Sequence, residues 1–195
     1  MDNHLLLAHI KQFIELTAEE IDFLEGALIS RPFKQGELIV RSGEPARHLA
    51  YVNAGYTVTY FTDPRGNDHV IRFAAPGWWT GDTHSLSQES VTPFTTKGLC
   101  DGELLLLPRL AHQQLLDRYL KFERYFRQLF QTALVRQQLR FVEGHSVPAD
   151  QRYLKFQASF PGIEQYLPQK YVASYLGITP EFLSRVRKSL VQPRS

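Results

Sequence analysis

The residues best suited to chemistry lie near the C-terminus. Glu181, Ser184, Arg185 and Lys188 fall at i, i+3, i+4 and i+7, which on a helix makes one outward stripe. A glutamate there can accept from a cytosine amino group, and an arginine can donate to O6 and N7 of guanine. Gln169, Lys170 and Arg187 are placed to contact phosphates, which sets register on a duplex without reading its sequence. Thr179 followed by Pro180 reads as an N-cap and a first helical position, where the missing N–H costs nothing. The expected helices are Gln169–Leu176 and 180–190, joined by a tight turn at Gly177 that requires positive φ. Val172, Ala173, Leu176, Ile178, Leu183 and Val186 supply the apolar interior, and small Ala173 lets the two helices approach. This is a helix-turn-helix pattern. Its bland competitor is a helical hairpin with a solvated basic face, because such patterns are short and degenerate.

No other residue set defines a reaction centre. His48, His69 and His84 are isolated, whereas a cupin-like metal site needs a His-x-His pair with a nearby Glu and a third His. They read as surface histidines, not as metal or haem ligands. No nucleophile motif and no phosphate-binding glycine loop is present, so neither enzyme activity nor a cofactor is expected. Cys100 is the single cysteine, which excludes an internal disulfide, a Cys-only zinc site and a cysteine-held iron–sulfur cluster.

The elements that must position these residues follow from periodicity. Thr17 with Glu20 three positions on forms a capping box, and Ile21, Leu24, Leu28 and Ile29 recur at helical spacing beyond it. From Pro32 onward the chain breaks into strand-like runs at 37–41, 49–53, 56–62, 69–74, 95–99 and 103–107. Gly36, Ser42-Gly43, Ala54-Gly55, Asp63-Pro64-Arg65-Gly66 and Pro76-Gly77 separate them, as in an antiparallel sandwich, roll or barrel. Residues 110–141 then read as one long helix. Tyr119, Phe122, Phe126, Leu129 and Ala133 line one face, widened by Leu115, Phe130, Leu134 and Phe141. That face is either a core surface lying on the strands or a dimer interface, and the pattern does not choose between them. The stretch 143–148 reads as a hinge, with Gly144 stopping the helix and Pro148 setting a new direction. A short amphipathic helix, 149–160, ends at Pro161-Gly162.

A chain of 195 residues holds one large domain or a medium and a small one, here expected as 1–143 and 144–195. With 43% hydrophobic and 22% charged residues the composition is that of a folded globular protein. The longest apolar run, 104–107, is far short of the roughly 20 residues that a membrane span needs. The N-terminus lacks a basic stretch and a small-residue cleavage site, so no secretory signal and a cytoplasmic location are expected. The net charge of +2 is uneven. Residues 145–195 hold seven Lys or Arg against three acids, a net +4, which leaves −2 for the remainder. A basic tip on a near-neutral body suits a polyanionic partner.

Taken together these features resemble the Crp/Fnr family of bacterial regulators over nearly the whole chain. The sensor part of the resemblance rests on Gly43-Glu44-Pro45-Ala46, then Tyr51-Val52-Asn53-Ala54-Gly55, then Gly66, Pro76-Gly77 and Gly81-Asp82. It implies an α+β fold: an N-terminal antiparallel β-roll of the cyclic-nucleotide-binding type, a long dimerisation helix and a C-terminal helix-turn-helix. It implies a homodimer through Tyr119, Phe122, Phe126, Leu129 and Ala133, with double-stranded DNA as partner and transcription regulation as function. Glu181 and Arg185 match the family's base-reading positions, while Pro180 stands where an arginine is common. The alternative is a ligand-binding or protein-interaction module whose hairpin does not touch DNA.

The resemblance fails at the effector pocket, whose candidate residues are Gly81, Asp82, Thr92 and Pro93. The family's cyclic-nucleotide binders carry Gly-Glu for the ribose and, further on, Arg-Ser or Arg-Thr for the phosphate. Here the pairs are Gly81-Asp82 and Thr92-Pro93, with no arginine between Arg72 and Arg109. Burying a phosphate without a cation is costly, and Pro93 has no N–H to donate. The expected effector is therefore not cyclic AMP: another small molecule uses the cavity, or the roll binds nothing. The family also adds a two-stranded wing after the recognition helix, and 191–195 is too short to form one.

Overall fold

The computed structural model describes residues 2–191; the segment 192–195, which the expectation of a missing wing concerns, lies outside them. Two helices open the chain, α1 (His4–Lys11) and α2 (Ala18–Ala27). The capping box forms at α2: the Thr17 hydroxyl accepts from the Glu20 amide, and the Glu20 carboxylate accepts from the Thr17 amide at 2.7 Å. Leu28 is already extended (φ −81°, ψ 142°), so Ile29 opens a strand instead of closing the helix.

Eight strands follow: β1 (Ile29–Phe33), β2 (Leu38–Val40), β3 (His48–Ala54), β4 (Thr57–Thr62), β5 (Asp68–Ala74), β6 (Trp79–Thr80), β7 (Thr95–Gly98) and β8 (Gly102–Pro108). They form two antiparallel sheets, β1-β8-β3-β6 and β2-β7-β4-β5, closed into a roll. Two strands escape the periodicity. β1 contains Pro32, tolerated because this strand lies at a sheet edge, and β6 has two residues, too few to show a period. Phe33, Ile39, Ala50, Val52, Ala74, Leu104 and Leu106 fill the space between the sheets. The Phe33 ring lies on Gly102, where a Cβ would meet it at 2.5 Å and the Ala54 carbonyl oxygen at 2.3 Å, so only glycine fits.

A short helix, α3 (Thr83–Ser87), interrupts the roll between β6 and β7. After β8 the expected single helix is two: α4 (Arg109–Arg118) and α5 (Lys121–Ser146), separated at Tyr119 (φ −131°, ψ 85°). Carboxylates of α2 hold both sides of the break. Glu19 pairs with Arg118 at 2.6 Å and accepts from the Tyr119 hydroxyl at 3.1 Å, while buried Glu20 pairs with Lys121 at 2.6 Å. Gly144 does not stop α5, which runs through it and ends before Pro148, the residue that cannot continue the ladder.

The last three helices are α6 (Ala149–Ser159), α7 (Gln169–Leu176) and α8 (Pro180–Val191), with a 3-10 turn at Ile163–Tyr166. They do not hang free beyond the turn at Pro148. Val58, Val70, Phe73 and Leu99, on the outer face of the second sheet, form one apolar cluster with Tyr153, Phe156, Phe160, Tyr171, Val172, Leu176 and Leu183. Phe73 sits at the centre, its ring 5.7 Å from Phe156, 5.7 Å from Phe160 and 5.1 Å from Tyr175. The Ser174 hydroxyl bridges α7 to β5, accepting from the Val70 amide at 2.9 Å and donating to the Asp68 carbonyl at 3.1 Å. As the edge strand, β5 has backbone groups free of a ladder partner, and this one side chain serves two of them.

Candidate functional site

The helix-turn-helix takes shape as its residues require. Gly177 adopts φ +67°, which turns the chain between α7 and α8, and its amide bonds back to the carbonyls of Ala173 and Ser174. The Arg152 guanidinium caps the Leu176 carbonyl from α6. Thr179 acts as N-cap of α8, its hydroxyl accepting from the Phe182 amide at 3.2 Å. Ala173, Val172, Leu183 and Val186 are buried between the helices, as expected. On the opposite side of α8, Glu181, Arg185 and Lys188 are exposed and Ser184 is half-buried. Arg185 lies 5.1 Å from the Phe182 ring centre. Glu181 is held below the usual carboxylate range by its own backbone amide and then by the Thr179 hydroxyl, so it remains an ionised acceptor.

The candidate phosphate contacts separate into three cases. Gln169 is exposed at the start of α7. Lys170 is also exposed, but its ammonium lies 3.6 Å from the Asp68 carboxylate of β5, so a phosphate there must compete with that acid. Arg187 is turned inward: it pairs with Glu164, lies over the Tyr153 ring at 5.4 Å, and is half-buried. Arg187 is therefore a correction. Its side chain ties α8 to the 3-10 turn, because position 187 falls on the face that α8 turns toward α6 rather than on the outward stripe.

The candidate dimer residues need a second correction. Phe122 and Phe126 are sealed in the protomer's own core, and Tyr119 and Leu129 pack against that core. Phe122, Phe126 and Leu129 belong to the first half of α5, which lies on the roll with Tyr125, and Tyr119 sits at the break before it. Ala133 is exposed. The apolar side chains left bare are further along: Phe130, Leu134, Val135, Leu139, Phe141 and Val142, with Leu134 57% and Phe141 71% exposed. The core reading therefore holds for residues 119–129 of the stripe. Its continuation is the part without a cover.

Inside the roll lies a cavity of about 460 Å³. Gly81, Asp82 and Thr92 line it, whereas Pro93 does not and is exposed. Asp82 is the N-cap of α3, and its acceptor capacity is engaged. Its carboxylate takes the Ser85 amide at 3.1 Å, the Ser85 hydroxyl at 2.7 Å and the Thr92 hydroxyl at 2.8 Å. Burial pushes its pKa up, but the hydrogen bonds from Ser85, Thr92 and the His84 amide outweigh this and hold it below the usual range. Thr92 thus serves Asp82, where the resemblance assigned it to a phosphate. Three further cavity residues carry charge and were missed from the sequence because they lie outside the expected motif. Arg31 comes from β1, and Glu44 and Arg47 from the β2–β3 connection. The Arg31 guanidinium is held by the Ile39 carbonyl at 2.8 Å and Glu37 at 3.3 Å. His48 beside them has its pKa lowered, first by burial and then by the charges of Arg47 and Arg31. The floor carries a buried hydroxyl pair, Thr59 and Thr96, 2.9 Å apart.

Among the described residues no group of His, Cys, Asp and Glu is placed to hold a metal ion, and no helix is long and apolar enough to cross a membrane.

Roll, long helix and helix-turn-helix in this order define a class. Residues 30–119 match the family described as the cyclic nucleotide-binding domain. The fold is similar to those of several solved structures, one of them assigned to the Crp/Fnr family. It is similar to that of FixK2 from Bradyrhizobium japonicum, at a TM-score of 0.72 and 18% identity over 84% of this chain and 84% of that one. A Eubacterium rectale structure assigned to the Crp/Fnr family is similar at 0.70 and 16%, over 89% of this chain and 83% of that one. The c-di-GMP-responsive global regulator CLP of Xanthomonas campestris is similar at 0.65 and 16%, over 92% and 96%. No curated protein matches the sequence.

Proposed function

We propose that this protein is a homodimeric, sequence-specific DNA-binding transcription regulator of the Crp/Fnr type, without enzyme activity, whose effector is not cyclic AMP. The observation that carries the reading is α8. It is capped by Thr179, packed on α7 through Leu183 and Val186, and turns Glu181, Arg185 and Lys188 outward on one face. That is the arrangement a recognition helix needs to enter a major groove. Glu181 and Arg185 are the base readers, with Ser184 beside them, and Gln169, Thr179 and Lys188 flank them as phosphate contacts. The bare apolar stripe from Phe130 to Val142 supports the dimer, with a second copy as the cover. Engagement of Asp82 and Thr92 with each other supports an effector other than cyclic AMP, since neither is left to grip a ribose or a cyclic phosphate. The structural neighbour CLP, described as c-di-GMP-responsive, is in keeping with the same fold serving other ligands.

A dimer carrying two such helices reads a palindrome with half-sites about one helical turn, roughly 34 Å, apart. Genomic fragments captured by the protein and sequenced would reveal that site. On it, Arg185→Ala should cost about 1–3 kcal/mol and relax preference at one symmetric position. Lys170→Ala should weaken all sequences alike and reduce the salt slope by about one unit, or by less if Asp68 retains the ammonium. If no fragment is enriched and neither variant changes a salt-dependent affinity, the hairpin is a protein-interaction module and the DNA reading falls.

A further inference from the structure

Leu183 and Val186 are buried where α8 packs on its neighbours, yet the side chain next to them is bare: Phe182 is 40% exposed. A single exposed apolar residue is ordinary on a protein surface, so exposure alone says nothing. Its place says more. Phe182 is the third residue of α8, after Pro180 and Glu181, and its amide donates to the Thr179 hydroxyl at 3.2 Å, which fixes the backbone there. The N-terminal residues of a recognition helix are the ones that reach base edges. At 3.6 residues per turn, Phe182 stands about 60° round the helix from Arg185, on the flank of the outward stripe. The two side chains meet: the Arg185 guanidinium lies over the ring, 5.1 Å from its centre. Stacking of this kind occupies the flat face of the guanidinium and leaves its in-plane N–H groups to donate to O6 and N7 of a guanine.

We infer that Phe182 is a specificity-determining residue, which reads the 5-methyl group of a thymine next to the guanine taken by Arg185. This rests on the DNA-binding reading above. In the major groove thymine is the base that offers an apolar group, and a phenyl ring is among the side chains that cover it. The neighbouring position follows from distance. Bases along one strand rise about 3.4 Å per step. The ring centre is 5.1 Å from the guanidinium carbon, more than one such step, so ring and guanidinium meet adjacent pairs and not the same one. The residues of the stripe cannot take this role. Glu181, Ser184, Arg185 and Lys188 recognise by hydrogen bonds and charge, and an ionised Glu181 is repelled by the thymine O4 acceptor. Phe182 supplies the apolar contact that they lack.

The test uses the full chain and a pool of random-sequence duplexes. The enriched site is resynthesised with deoxyuridine in place of each thymine in turn, symmetrically in both half-sites. Deoxyuridine keeps the O4 acceptor and lacks only the methyl group. Arg185→Ala marks the guanine, as the symmetric position at which preference relaxes. At the thymine beside that guanine, the wild type should bind the deoxyuridine duplex about fourfold more weakly per half-site, the effect of leaving one methyl-sized group in water. Phe182→Ala should bind both duplexes equally, and Phe182→Leu, which keeps an apolar side chain, should recover part of the difference. Each ratio is taken within one protein, so a general loss of affinity in a variant cancels. The inference is overturned if the wild type is blind to the methyl group there, or if Phe182→Ala discriminates as strongly as wild type. It also falls if no thymine stands beside that guanine, or if Arg185→Ala relaxes no position. A pool that yields no enriched duplex overturns the regulator reading and the inference with it, whereas a site read by Arg185 and blind to the methyl group overturns the inference alone.

Discussion

The two halves of α5 carry the same kind of apolar stripe and meet different surroundings. In the first half, Phe122, Tyr125 and Phe126 lie against the roll and α1, and Phe126 is only 4% exposed. In the second half, Phe130, Leu134, Leu139 and Phe141 are exposed. Only the other side of that half is used: Arg136 lies over Trp78 at 5.0 Å and Arg140 over Tyr175 at 4.7 Å, so the helix also braces the helix-turn-helix. An amphipathic period establishes that an apolar face exists and leaves open what covers it. One helix gives both answers: Phe126 is buried and Phe130, one turn further on, is exposed.

The largest effect expected from this contrast is at Phe126. Phe126→Asp places an unpaired charge among Tyr125, Trp79 and His112 and should destabilise the protomer by more than about 4 kcal/mol, read as loss of the cooperative melt. A folded Phe126→Asp protein would mean that the first half is not core. The next effect is on assembly. Leu134→Asp with Phe141→Asp should leave the protomer's circular dichroism unchanged, halve the sedimenting mass and remove the concentration dependence of the melting temperature. If this pair still sediments as a dimer, the stripe is covered by something other than a second copy.

The smallest effect is a pH dependence confined to the first half. The His9 ring nitrogen is 2.9 Å from the Tyr125 hydroxyl, which also accepts from the Trp79 indole at 2.6 Å. His112 stacks edge-on against Phe126 at 4.5 Å, its Nε2 buried without a hydrogen bond. Burial lowers both pKa values below the ordinary 6.5. The folded protein then binds fewer protons than the unfolded chain, so stability is full above pH 6.5 and declines as pH falls through it, until the folded pKa is passed. Denaturant titrations at pH 7.5, 6 and 5 should show that decline, and His112→Phe should make it shallower. Equal slopes in both proteins would mean that His112 is solvated in the fold.

The helix ends and the turn between α7 and α8 are legible in the sequence because they depend on neighbours in the chain. The capping box at Thr17 and Glu20, the turn at Gly177, the Thr179 cap and the bounds of α7 are local matters of φ, hydrogen bonding within one turn and 3.6-residue spacing. β1 was hidden because Pro32 argues against a strand everywhere except at an edge, and edge status is a property of the sheet. The break at Tyr119 was hidden because the acids that hold it, Glu19 and Glu20, lie about a hundred residues earlier in the chain.

By itself, then, the sequence determined the order antiparallel strands, helix, turn and a closing helix pair, and the outward stripe Glu181, Arg185 and Lys188. Alternation and helical spacing are set within a few residues and survive whatever packs on them. Only the tertiary structure decided that Arg187 pairs with Glu164, that Lys170 faces Asp68 and that Asp82 holds Thr92. These are contacts between polar side chains on different elements. A charge's role depends on which opposite charge or void the fold brings within a few ångströms, and chain spacing carries no record of that distance.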